Sequence, residues 1–202
     1  MQASSGSDTT TAALARQARE GNRAAFRMLV DRYQDDIFRM IYYRVRLRAD
    51  AEDLTQEVFI RAFRRLHGLK DDARFRSWLY RIAVNRVRDH LRKKRLRALF
   101  VSTPTGAVVE RAVGDVAQQV TADAEHQLAR QEFWQRIGTV LDRFSRMERE
   151  VFLLRFFDGL SIKEIAQVVA KSQSTVKTHL YRGIAKFRQS RQARRLLKEV
   201  MS

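Results

Sequence analysis

Cysteine is absent from the 202-residue chain, so it holds no disulfide framework, thiolate nucleophile or cysteine-built zinc knuckle. Proline occurs once, at Pro104, and glycine eight times. Strand-like alternation is equally scarce. Apolar residues recur instead at spacings of three and four, which predicts an all-α fold. No apolar run approaches the roughly 20 residues that cross a bilayer. The four histidines, His67, His90, His126 and His179, are scattered and suggest no metal pair. A Gly-rich phosphate loop, a nucleophile elbow and a carboxylate–histidine cluster are all missing. The chain therefore does not read as an enzyme, and no cofactor or metal is expected. Residues 1–11 are rich in Ser and Thr and lack the apolar stretch of a secretory leader. They are expected to form a disordered tail on a soluble, intracellular protein.

Acids are the minority charge. Lys plus Arg is 40 against 23 for Asp plus Glu, a net charge of +17. The excess sits in two blocks. Asn85 to Arg97 holds seven basic residues and one acid, Asp89. Lys171 to Lys198 holds nine basic residues and no acid. Two concentrated positive blocks suit a polyanion contacted at two separate points. Solvated helix faces are the bland alternative, but such faces mix signs to avoid self-repulsion. A membrane surface is a further option, although neither block carries a bulky apolar face over its most basic part. With hydrophobics at 45%, a core can be built.

The periodicity divides the chain in two. Phe26, Leu29, Val30, Tyr33, Ile37, Met40 and Ile41 form one helical stripe. Asp50 can cap a second helix, with Leu54, Val58, Ala62, Phe63 and Leu66 at helical spacing and Gly68 as its stop. A polar loop, His67 to Arg74, precedes a third helix running from about Phe75 through Leu79, Ile82 and Ala83 into the first basic block. Residues 98–124, with Pro104, Gly106 and Gly114, read as a flexible linker. A second helical set follows, with Phe133, Ile137, Val140, Leu141 and Phe144 in one stripe, then Met147, Val151 and Leu154. Ser145 with Glu148, and Ser161 with Glu164, make two capping boxes, and Gly159 ends the helix between them. Boxes so close together imply short helices joined by tight turns.

The last set has the dimensions of a helix-turn-helix. Ser161 to Val169 forms a short first helix with Ile162, Ile165, Ala166 and Val169 inward. Ala170 to Gln173 is the turn. Ser172 or Ser174 can cap a second helix that buries Val176, Leu180, Ile184 and Phe187. Gln173, Ser174, Lys177, Thr178, Tyr181 and Arg182 face outward. Arg and Lys suit guanine edges and phosphates, Gln adenine, and Thr and Tyr methyl groups and backbone. A generic helix pair gives the same pattern; the acid-free flank favours DNA.

Taken in order, the segments resemble a bacterial RNA polymerase sigma factor of the small extracytoplasmic-function (ECF, group IV) type in the sigma-70 family. DAEDLTQEVFIRAFRRL, Asp50 to Leu66, resembles region 2.2. FRSWLYRIAVNRVRDHLRKKR, Phe75 to Arg95, resembles the later part of region 2. REVFLLRFFDGLSIKEIAQVVAKSQSTVKTHLYRGIAKFR, Arg149 to Arg188, resembles region 4. One departure stands in the helix-turn-helix turn. The family's glycine and following apolar residue are replaced by Ala170 and Lys171, so a strained turn is expected.

The resemblance implies a non-enzymatic subunit that brings polymerase core to promoters, working in the cytoplasm at the nucleoid. It implies two small helical domains, region 2 over 12–97 and region 4 over 125–190, with a basic tail over 191–202. Asp53, Leu54, Gln56, Glu57 and Phe59, with Phe63 behind them, match the face that binds the clamp helices of the largest polymerase subunit. The flap of the second-largest subunit is the implied contact of region 4. The acids of this segment also favour a helix N-terminus, and both roles can hold. Promoter melting needs a base to leave the stack. The matching loop carries Lys70, Asp71, Asp72 and Arg74. Asn85 either reads a base edge or makes a structural hydrogen bond, while Arg86, Arg88, Arg92, Lys93 and Lys94 are expected on strand phosphates. Trp78 and Tyr80 can stack on bases, though for Trp78 a place in the core is the better expectation. Lys177, Thr178, Tyr181 and Arg182 are expected to read the minus-35 element, with Gln173, Ser174 and Thr175 at the helix start near phosphate. Arg191 to Lys198 is expected to add sequence-independent, salt-sensitive affinity. An anti-sigma factor is implied by family alone. A stand-alone helix-turn-helix regulator and an RNA-binding protein are the competing readings; the first has no use for the Asp50 to Arg97 module.

Overall fold

The computed structural model describes residues 4–101 and 137–190, and no strand occurs among them. The chain divides into two compact units.

Small side chains set the first helix of the N-terminal unit. In α1 (Ser4–Arg19), among the described side chains, the buried ones are Thr11, Ala15 and Ala18, one face at spacings of four and three. That face packs on α2 (Arg23–Val45), where the Tyr33 hydroxyl lies 3.1 Å from Thr11 Oγ1. The expected disordered tail over 1–11 is corrected from Ser4 onward. The contact uses alanines and a threonine rather than a bulky stripe, so hydropathy patterning does not flag it. Gly21, at φ 102, turns the chain, and Asn22 Oδ1 accepts from the N–H groups of Ala24 and Ala25 at 3.0 and 3.1 Å to start α2. Leu29, Tyr33, Ile37, Met40 and Ile41 of the predicted stripe are buried; Phe26 and Val30 are half-buried.

Helix α3 (Arg48–Arg65) follows a left-handed Arg46, φ 63. Its N-cap is Leu47, which gives no side-chain bond. Asp50, the expected cap, lies inside the first turn and reaches across to α4 (Phe75–Val101), 3.2 Å from His90 Nε2 and 3.9 Å from Lys94 Nζ. Gly68 is not the stop either. The α-helix ends at Arg65 and tightens into a 3-10 turn, Leu66–Gly68, because Leu66 and Leu69 both insert into the core. A second 3-10 turn, Asp72–Arg74, leads into α4, whose Phe75, Leu79, Tyr80, Ala83, Val84 and Val87 complete the core. Helix α4 runs three residues beyond Ala98, where the linker was expected to begin; residues 102–136, including Phe133, lie outside the described residues.

In the C-terminal unit, residues 137–141 are helical, and Ile137, Val140, Leu141 and Phe144 are buried as their spacing predicts. Helix α5 (Arg146–Phe156) opens with the predicted capping box: Ser145 N–H donates to Glu148 Oε2 at 2.8 Å, and Glu148 N–H to Ser145 Oγ at 3.3 Å. It ends at Phe156, short of the expected stop at Gly159, with Phe157 N–H donating to Leu153 O at 2.9 Å. Left-handed Gly159, φ 66, then turns the chain in the loop beyond, where Leu160 N–H donates back to Leu154 O at 2.9 Å. Helix α6 (Ile162–Val169) starts on the second box, with Ser161 N–H to Glu164 Oε2 at 2.8 Å. Ile165 is fully buried, whereas Ile162 and Ala166 are half-buried. Ser172 is the residue that caps α7 (Gln173–Gln189), accepting from Thr175 N–H at 3.2 Å. Val176 and Leu180 are buried, while Ile184 and Phe187 are half-buried. Helices α5 and α7 meet closely: a Cβ on Gly183 would stand 3.6 Å from Phe152 Cδ2 of α5, and 3.0 Å from Cε2 of Phe144 just before that helix.

Ala170 takes φ 54 in the turn between α6 and α7, the strain its sequence position predicts. Ala170→Gly is expected to stabilise the α6–α7 helix pair by about 1 kcal/mol, seen as slower amide exchange in α6 and α7.

Candidate nucleic-acid interface

Helix α3 presents Asp53, Gln56, Glu57, Ile60 and Arg64 along one face, by their spacing of three and four. Asp53 and Gln56 are exposed. Leu54 and Phe59, expected on this face, are core residues at 2% and 8% exposure, because they lie on the flanks that meet α2 and α4. The apolar surface is supplied instead by Ile60, 50% exposed, and Phe63, 46% exposed, whose ring meets Phe26 edge-on at 5.1 Å. Sequence reading missed Ile60. Its position one turn beyond Gln56 and Glu57 was the available signal.

Glu57 is tied to α4. Arg86 donates from Nε to Glu57 Oε2 and from Nη2 to Oε1, the latter at 2.9 Å. This fork holds the Glu57 carboxyl below the ordinary glutamate value and raises the Arg86 guanidinium. Arg86 is thereby corrected from a strand-phosphate residue to an interhelical one, with its side chain mostly buried. Lys93, exposed, lies on the same flank of α4 and its charge also lowers Glu57.

The other flank of α4 is different. Arg81, Asn85, Arg88 and Arg92 fall on one face at spacings of four, three and four. Arg81, Asn85 and Arg92 are exposed, and Arg88 is half-buried. Arg92 stands 3.3 Å from Asp89. Arg81 was missed because it precedes the basic block. Tyr80, at 1% exposure, is corrected from a stacking residue to a core one; Trp78 is half-buried beside Phe75, ring centroids 5.8 Å apart.

The loop before α4 is built rather than open. Asp71 accepts from Ala73 N–H at 3.1 Å and pairs with Arg74 at 2.8 Å. Asp72 turns inward to Arg19 of α1, Nη2 to Oδ2 3.1 Å. Lys70 and Arg74 remain on the surface, while both aspartates shape the loop.

On α7, Gln173, Ser174, Lys177, Thr178, Tyr181 and Arg182 are all exposed, with Tyr181 at 68%. Ser174, Lys177, Thr178, Tyr181 and Arg182 share the outer face. Ser174 and Thr175 also serve the cap: the Ser172 hydroxyl lies 2.8 Å from each of theirs. Thr175 is half-buried, so its part is mainly structural. The arrangement is a rigid helix with a polar, cationic and aromatic outer face, dimensioned for a major groove. The basic tail over 191–202 lies outside the described residues. Among the described residues no group of acids and histidines could hold a metal ion, and no helix is long and apolar enough to cross a membrane.

Comparison with known proteins follows the same division. The sigma-70 region 2 model matches residues 29–97, and the sigma-70 region 4 model matches residues 134–187. The chain is 35% identical to the ECF RNA polymerase sigma factor BldN of Streptomyces coelicolor over 85% of its own length and 62% of that protein. It is 32% identical to the ECF sigma factor SigW of Bacillus subtilis, over 83% of its length and 89% of SigW. Among solved structures it resembles CnrH in complex with the cytosolic domain of CnrY, at 27% identity and a TM-score of 0.66, over 94% of this chain and 98% of that one.

Proposed function

The chain belongs to the extracytoplasmic-function group of the sigma-70 family, and from that premise we propose which of its surfaces meets polymerase core and which meets each promoter element. It is a non-enzymatic transcription initiation factor. The α3 face of Asp53, Gln56, Glu57 and Ile60, with Phe63 at its edge, docks on core polymerase. Acids at one end of an exposed apolar patch suit a partner helix carrying arginines. The loop with Lys70 and Arg74, together with the Arg81, Asn85, Arg88 and Arg92 face, takes the melted minus-10 strand. Asn85 is its one uncharged polar group, suited to a base edge, and the arginines meet phosphates. Helix α7 reads the minus-35 duplex through Lys177, Thr178, Tyr181 and Arg182. CnrH was solved bound to the cytosolic domain of CnrY, and by that likeness this chain is held by a protein partner before it meets core. Its place of action is the cytoplasm, at the nucleoid.

One observation carries this reading over a stand-alone regulator. A module with an internally bonded loop and a cationic helix face precedes the helix-turn-helix in the same chain, and a duplex-binding repressor has no use for it. The test is run-off transcription with purified bacterial core polymerase on candidate promoter fragments, with and without the chain. Promoter-dependent transcripts are expected only with it. Failure to bind core at all would leave a stand-alone DNA-binding regulator.

A further inference from the structure

The loop that joins α3 to α4 has three anchors. Leu69 is buried at one end and Phe75 at the other. Between them, Asp72 is held by Arg19, the last residue of α1, Nη2 to Oδ2 3.1 Å. Around the anchors, Lys70, Ala73 and Arg74 are left exposed. Helix α1 precedes the segment matched by the region 2 model, which begins at residue 29, yet it packs directly on this second 3-10 turn. It is itself fixed to α2 through the Ala15 and Ala18 face and the Thr11–Tyr33 bond.

The Arg19–Asp72 contact is end-on, one N–H on one oxygen. Arg19 Nε and Asp72 Oδ1 are both buried with no protein partner. The pair is therefore poorly designed as a stabilising fork, and much better as a tether whose loss leaves a carboxylate stranded against α1. A stranded carboxylate moves toward water, and the turn that carries it, Asp72–Arg74, is displaced with it.

We propose that Arg19 is a positioning residue for minus-10 recognition: through Asp72 it sets the height of the loop against α4, and so the shape of the space offered to an unstacked base. The inference rests on the reading that this loop takes the minus-10 strand. Arg19 itself touches no DNA. Positioned groups must be held to within about half an ångström to discriminate, so a loosened tether costs selectivity before it costs folding.

The test uses holoenzyme assembled from core polymerase and the full chain, on promoters that differ at a single minus-10 base pair. Arg19→Ala is expected to shrink the preference for the better promoter by about five- to tenfold, with core affinity and dependence on the minus-35 element unchanged. The reciprocal pair Arg19→Asp with Asp72→Arg is expected to restore most of the preference. An unchanged preference in Arg19→Ala overturns the proposal. So does a loss that tracks core affinity or thermal stability, because that is α1 acting as simple scaffold. Asn85→Ala and Lys70→Ala separate the two levels. If they shift the minus-10 preference and Arg19→Ala does not, the tether is wrong and the loop reading stands. If none of the three shifts it, the loop reading falls and the tether with it.

Discussion

Run-off transcription from a promoter that depends on its minus-35 element is expected to fall about a hundredfold when Lys177 and Arg182 are both replaced by alanine. Each good base contact contributes ~1–3 kcal/mol of discrimination, and two lost contacts at the middle of that range give at least that factor. The fold is expected to be untouched. Both side chains are exposed, neither enters an ion pair among the described residues, and surface changes of this kind stay within about 0.5 kcal/mol. The helix is held from its other side by Val176, Leu180 and the Gly183–Phe144 contact. Core affinity is expected to stay as it was, which distinguishes lost reading from lost assembly. If Lys177 sits on phosphate rather than a base, the single Lys177→Ala change weakens all sequences alike and lowers the salt slope by about one. A double variant that transcribes normally would remove α7 as the reading element.

Much of this architecture is legible in the sequence because its signals are local. A period near 3.6 locates Leu29 to Ile41 and Ile137 to Phe144, and both stripes are in the core. The boxes Ser145–Glu148 and Ser161–Glu164 span three residues each and form as their spacing dictates. Ala170 could be marked as strained because the preference of φ for glycine is a property of one residue. What escaped depends on distant partners. Asp50 has the composition of a cap, but His90 and Lys94, forty and more residues on, claim its carboxylate. Glu57 and Arg86 read as contacts for two different partners, and only the packing of α3 on α4 shows the fork that joins them. Leu54 and Phe59 follow the same rule: a helix buried on two flanks has less outward face than its apolar pattern suggests. Helix α1 was missed for the opposite reason, since alanines carry too little hydropathy to announce a buried face.

Glu148→Ala is expected to destabilise the C-terminal unit by about 3 kcal/mol. Glu148 is 5% exposed, and its carboxylate closes the capping box on Ser145 N–H while accepting from Lys186 Nζ at 2.6 Å. Truncation therefore removes a cap and a cross-helix ion pair together, and with them the strut between the start of α5 and the last turns of the recognition helix. Lys186 is partly exposed and rehydrates, which keeps the cost at the lower end for a broken buried pair. Glu148→Gln keeps an oxygen for Ser145 but loses the charge, and is expected to cost about half as much. The pH dependence fixes the origin. Burial works against the charged carboxylate, but the bonds from Lys186 and Ser145 outweigh it and hold the group below the ordinary 4.5. A carboxyl depressed in the folded state contributes fully above its unfolded value and loses that contribution as pH falls through its folded one. The gap between the native chain and Glu148→Gln is thus expected to be constant from neutral pH down to about 4.5 and to close below it, read by amide exchange in α5 and α7. A gap that persists below that range would assign the cost to cap geometry rather than to the charge. The same strut predicts a functional trace: with Glu148 gone, minus-35 affinity falls although no DNA-facing side chain has changed, because the pose of Lys177 and Arg182 is set from the far side of the helix.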